Sequence, residues 1–170
     1  MKKFISVVAL GILSSCTHIS NYSPNDEDRC VIYADLADER ILTSPSRGNP
    51  DIRQKVFYEH GGPPVFSTEN INWTTNIDNN FSLESCNFGE YIQVVDGEKT
   101  MWELSKSIPG DALDVDYLNT SQIVFSTDGN YAIVETGIIC GWLCGVMFIH
   151  LFEFIEGEWT QIAIASTGVV

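Results

Sequence analysis

The chain has 170 residues, with 9 basic against 23 acidic residues, a net charge of −14, 44% hydrophobic residues and 11% aromatic ones. One ordinary globular domain fits these figures, because a mature chain of about 150 residues buries roughly 68–70% of its unfolded surface. They rule out a collagen, a coiled-coil rod and a fully disordered chain, and the shortage of basic residues argues against a nucleic-acid or anionic-lipid binder.

Met1, Lys2 and Lys3 form a short positive start, and residues 4–13 are an apolar run of signal-peptide length. A spanning helix needs about 20 apolar residues, so this run is too short to be one. It ends in Leu13, Ser14, Ser15 and Cys16. That pattern resembles the lipobox of bacterial lipoprotein precursors: an aliphatic residue, two small ones, then the cysteine that is acylated. Small side chains at 14 and 15 let a peptidase grip an extended backbone beside the bilayer, and the Cys16 thiol receives the diacylglyceryl group. A secretory signal cleaved elsewhere, with Cys16 an ordinary cysteine, is the competing reading. The resemblance implies that residues 1–15 are removed, that 16–27 form a lipidated tether and that 28–170 form a single domain. Loss of Lys2 and Lys3 leaves 7 basic against 23 acidic residues, or −16 over 155 residues. Multiple acyl chains anchor firmly where one does not. Thr17, not Asp, follows the cysteine, which by the same resemblance implies the periplasmic face of the outer membrane, with the bilayer as partner through Cys16.

Residues 17–27 are polar, contain Pro24 and show no apolar period, as expected of a tether. From residue 26 or 28 to 42, Val31, Ile32, Leu36, Ile41 and Leu42 recur at roughly helical spacing behind an acidic first turn. This predicts a helix, with a strand over 30–33 as the competitor. Residues 43–51 read as a loop, and 54–58 as a strand stopped by His60, Gly61, Gly62, Pro63 and Pro64. Residues 67–90 give no clear element. A strand is predicted over 91–95 and a helix over 98–108, ended by Pro109 and Gly110. The last fifty residues are clearer: 121–127, 131–139, 146–156 and 158–165 are strand-like, separated by hairpin-loop segments. The fold class predicted is α+β, an antiparallel sheet ending in a four-stranded meander, with one or two helices packed on it. Trp102 and Leu104 are expected to pack against Phe125, Ile133, Ile149 and Leu151. Residues 137–152 lack charge, but 16 residues of helix span only roughly 24 Å and have acidic flanks, so a buried hairpin is preferred to a membrane span.

From 102 to 160 the chain carries Pro109-Gly110, then Phe125-Ser126-Thr127-Asp128-Gly129, then Cys140-Gly141-Trp142-Leu143-Cys144-Gly145, and finally Gly157-Glu158-Trp159. This resembles the C-terminal β-module of a broad group of uncharacterised bacterial exported proteins and lipoproteins. The resemblance implies an architecture and no activity.

An oxidising compartment turns attention to the cysteines. Apart from Cys16 there are four, which allow three connectivities. Cys140 and Cys144 flank a three-residue hairpin loop at a spacing compatible with a bridge, so Cys140–Cys144 with Cys30–Cys86 is the favoured set. A redox pair would prefer two intervening residues rather than three. A zinc site from Cys140, Cys144 and His150 is disfavoured, because strand geometry sends side chains to alternate faces. His18 lies in the tether, His60 in a glycine-rich loop, and His150 among Phe148, Phe152 and Phe154, as expected of a satisfied core histidine. Asp111, Asp114, Asp116 and Asn119 miss the spacing of a calcium loop. There is no nucleophile elbow and no phosphate-cradling glycine loop. The sequence thus points to no catalytic residue, cofactor or metal. The favoured function is a non-catalytic binding or envelope-accessory lipoprotein. The alternative is an acidic inhibitor or immunity-type protein that captures a cationic hydrolase or toxin. A hydrolase using a carboxylate or His60 comes third.

Overall fold

The computed structural model describes residues 22–37, 41–44, 49–58, 62–75, 81–90, 92–97, 99, 117–141 and 144–169, with backbone only at 44, 139–141, 144, 168 and 169. Helix α1, Asp26–Ala37, is followed by β1 (Ile41–Ser44), β2 (Val56–Tyr58), β3 (Pro64–Ser67), a 3-10 turn at Leu83–Ser85 and β4 (Val94–Asp96). Then come β5 (Tyr117–Thr120), β6 (Val124–Phe125), β7 (Tyr131–Gly141), β8 (Cys144–Ile155) and β9 (Glu158–Val169). The main sheet runs β4-β1-β5-β7-β8-β9, with β6 attached to β7, and β2 and β3 form a second small sheet. This is the α+β class, with the last four strands in the expected antiparallel meander. The sheet is mixed rather than antiparallel throughout, because β1 runs parallel to both β4 and β5.

Alternation along β7 explains how the sheet is buried on two sides. Ala132 and Val134 join α1, Leu42, Leu118, Phe125 and Phe152 in one core. Ile133, between them, points to the other face and meets Phe57, Trp73, Val124, Ile149 and Leu151. A strand covered on both faces reads as a continuous apolar run, as 131–134 does. Phe125 and Ile133 therefore sit on opposite faces, not in one cluster. The register sets this, since Phe125 faces Ala132 while Val124 faces Ile133, and paired residues share a side. Trp102, Leu104 and the helix predicted over 98–108 lie outside the described residues.

Helix α1 ends at Ala37, five residues short of the expected end, and Ile41 and Leu42 instead open β1. Its buried stripe is Asp28, Ile32, Tyr33, Leu36 and Ala37, whereas Val31 is half exposed. Its start is a capping box. The Asn25 side-chain oxygen accepts from the Glu27 and Asp28 amides, and the Asp28 carboxylate accepts from the Asn25 amide at 2.7 Å. The strand expected over 54–58 shortens to β2, and the one expected over 91–95 starts only at Val94 and runs on to Asp96 as β4, with Tyr91 outside the described residues. Within 67–90, Trp73 bridges to Ser126 across the second core. The 137–152 segment is the β7–β8 hairpin, and no described helix is long and apolar enough to cross a membrane.

Tyr22, inside the expected tether, is packed against the sheet. Its ring stacks on Phe154 with centroids 4.0 Å apart. The Tyr22–Pro24 backbone lies against Gly129, which has φ +74° in the 126–130 turn. A Cβ at Gly129 would stand 2.2 Å from the Tyr22 carbonyl oxygen. Gly129→Ala is therefore expected to cost on the order of 2 kcal/mol, from a strained φ and a displaced N-terminal segment. Thermal denaturation checks this, and an unchanged midpoint would mean that residues 22–24 do not pack there.

Candidate functional site

The best-defined polar arrangement joins the start of α1 to β9. Asp28 is buried, yet it accepts from the Tyr22 hydroxyl, from Trp159 Nε1 at 2.9 Å and from the Asn25 amide. Beside it, Arg29 donates to the Ile123 carbonyl at 3.0 Å and lies over the Phe81 and Phe125 rings at 5.5 and 5.1 Å. Trp159 is in turn tilted against Phe125 and Phe154. A buried carboxylate is tolerated when donors converge on it. These groups lock the N-terminal segment, the helix and the last strand together.

The same helix start forms one wall of a hollow of about 630 Å³. Asp26, Glu27, Cys30, Val31 and Ala34 line the helix side, and Ser85, Asn87 and Phe88 the other. The disulfide between Cys30 and Cys86, with Cα atoms 5.4 Å apart, fastens the two walls, as favoured from the sequence. Among the described residues, two carboxylates and no basic residue line the hollow. Arg29 Nε lies 3.6 Å from the Asp26 carboxylate, while the far side of the same guanidinium donates to the Ile123 carbonyl in the core. The chemistry on offer is that of a cation site with apolar walls from Val31 and Phe88.

A third arrangement has the order of nucleophile, base and orienting group. Thr136 Oγ1 is 2.9 Å from His150 Nε2, and His150 Nδ1 is 2.7 Å from Gln161 Oε1. Since the Gln161 oxygen accepts, Nδ1 carries the proton and Nε2 takes the threonine hydrogen. Burial pushes the His150 pKa down, against the upward pull of Gln161 and Asp35, and favours the neutral ring. Thr136 is 2% exposed and His150 6%, so the hydroxyl end faces the interior. His150 is thus the satisfied core histidine expected from the sequence.

The remaining predicted residues separate. Cys16, His18, His60, Asp111, Asp114 and Asp116 lie outside the described residues, as do the side chains of Cys140 and Cys144. Asn119 sits in β5 and is hydrogen-bonded to Thr43 at 3.3 Å. On β8, Cys144 faces Gly141 while His150 faces Val134. Six residues of strand between them amount to about 20 Å, too far for a shared zinc. No group of three metal-ligating side chains occurs among the described residues. Sequence reasoning missed Asp28 and Tyr22, because an acid in a first turn and a tyrosine before a proline look like ordinary helix-start residues. It also missed Thr136 and Gln161, whose partnership with His150 depends on cross-strand register. Compared with protein-family models, with curated proteins and with solved structures, the chain matches none.

Proposed function

We propose that the protein is a lipid-anchored component of the bacterial cell envelope, on the periplasmic face of the outer membrane, that works by binding a cationic partner. The anchor rests on the basic start, the short apolar run and the Leu13-Ser14-Ser15-Cys16 pattern. One observation carries the binding reading: the hollow whose lining includes Asp26 and Glu27 with no basic residue among the described ones, braced by a disulfide. The bridge holds both walls in place before a partner arrives, which limits the ordering cost of binding. The chain's charge of −14 adds long-range attraction for a basic protein and raises its encounter rate at low salt. The same acidity favours a second reading, an inhibitor or immunity-type protein whose cationic target is a lysozyme-like hydrolase or a toxin.

Cys16→Ser is expected to abolish labelling by radioactive palmitate and to release the protein from the membrane fraction; persistent labelling refutes the anchor. For binding, a basic lysozyme-type hydrolase serves as the probe. Asp26→Asn with Glu27→Gln is expected to weaken its capture roughly two- to five-fold per charge at low salt. An unchanged affinity refutes the hollow as the site. Loss of hydrolase activity on capture selects the inhibitor reading.

A further inference from the structure

We propose that β9 is a self-association edge, at which a second copy of this chain adds its own β9 antiparallel to the first. β9 is twelve residues long and ends the main sheet. Among the described residues its ladder runs to β8 alone. The β2–β3 hairpin packs on one face of the strand, where Ala163 and Ala165 join the cluster that holds Phe57 and Phe66. Proteins ordinarily blunt such an edge with lysine, proline, inward charge or β-bulges, because its open N–H and C=O groups template another strand. Here Trp159 to Val169 contains no proline and no charged residue. Ile162 and Ile164 are 44% and 41% exposed.

Charge decides which strand fits. Past Glu158, from Trp159 to Val169, a cationic partner would find no carboxylate to recognise. A second copy, repelled elsewhere by a net charge of −14, meets here an uncharged strand with an uncharged strand. Two bulges, at Ile162 and near Thr167, bracket a regular stretch in which Ala163, Ile164, Ala165 and Ser166 pair in register with β8. A two-fold axis through Ile164 places Ile164 against Ile164 of the second copy and Ala163 against its Ala165, so that opposed residues share a face. Glu158 falls beyond the paired region, so no like charges are set opposite each other. An isologous pairing of this kind closes at two copies and does not grow into a fibre.

The salt response is diagnostic. Screening weakens repulsion between two acidic bodies, and the screening length falls from about 30 Å at 0.01 M to about 8 Å at 0.15 M. Dimerisation should therefore tighten several-fold over that range, opposite in sign to capture of a cationic partner. The experiment is sedimentation equilibrium of the full chain in mild detergent, beside Ile162→Lys and Ile164→Lys, with circular dichroism to verify their folding. Each lysine should weaken the dimer at least tenfold, and the β9 amides pointing away from β8 should exchange more slowly as concentration rises. A photo-reactive residue at exposed Thr160 should give, in membranes, an adduct of twice the chain mass. A monomer at every concentration and salt overturns the proposal. So does a dimer indifferent to both lysines, or an adduct of any other mass, which would assign the edge to a different protein's strand.

Discussion

Replacing Cys30 and Cys86 together by serine is expected to remove about 4 kcal/mol of stability, the effect of releasing a loop with a sequence separation of 56. The bridge acts on the unfolded chain, whose ends it keeps together across the tether-side helix and the 3-10 turn. It also acts on the native state, because both cysteines pack against the core that holds Ile32, Tyr33 and Leu83. Without the bond, the Leu83–Phe88 segment would be held to α1 by side-chain contacts alone. The hollow between them would then widen, and capture of a basic protein should fall with stability. Urea unfolding of the double variant and of the reduced parent chain reads the first effect. A loss below about 1 kcal/mol would show that the denatured chain keeps this loop closed by itself. A bridge between Cys140 and Cys144 would close a loop of only five residues and contribute less by the same entropy argument. Its proposed value is to pin register, since a one-residue slip would turn the side chains of β8 to the opposite face.

The parts of the fold legible in the sequence are those whose signals are local. Asp128-Gly129-Asn130 and Glu156-Gly157 sit between long β-branched and aromatic runs, and each became a turn. Glu156 and Gly157 adopt φ of 53° and 94°, the two positive values a tight hairpin of this kind needs. The Cys30–Cys86 pairing was legible because elimination left few choices. What escaped depends on partners distant in sequence. β1 is four residues long and is held by parallel neighbours on both sides, so it shows no alternation. Its Ile41 and Leu42 instead extend the helical spacing of α1, and only the end of the helix at Ala37 separates the two. Phe125 and Ile133 looked alike as apolar strand residues; the β6–β7 register alone sends them to different cores. The candidate hollow was invisible because its walls, α1 and the 3-10 turn, come from segments some fifty residues apart. Its acids were visible only as net charge.

Asp28→Ala is expected to cost about 3 kcal/mol and to loosen the N-terminal segment that leads toward Cys16. The carboxylate serves three donors from three places: the Tyr22 hydroxyl, the Asn25 amide and Trp159 Nε1. Hydrogen bonds to a charged group contribute about 1.5–3 kcal/mol each, and a buried donor left without its acceptor costs more than a neutral exchange. The sum is not reached, because Tyr22 can turn to water while Trp159 cannot. Trp159→Phe, which removes a single donor, should therefore cost less than Asp28→Ala. A pH signature accompanies the contact. The Tyr22 pKa is pushed up to about 12 by burial first, then by its hydrogen bond to Asp28 and the negative charges of Asp28 and Glu27. A folded pKa above the ordinary value of about 10 favours the protonated phenol in the native state. Its contribution to stability is therefore complete below about pH 10 and is lost as pH rises toward 12. Tyr131, raised in the same direction by burial and by its bond to Glu153, adds a second alkaline contribution. Tyr22→Phe should flatten the fall in stability between pH 10 and 12 without removing it, and Tyr22→Phe with Tyr131→Phe should flatten it further. If the parent chain and Tyr22→Phe lose stability along the same alkaline curve, Tyr22 does not donate a hydrogen bond to Asp28 in the folded protein, and the lock between the helix start and β9 rests on Trp159 alone.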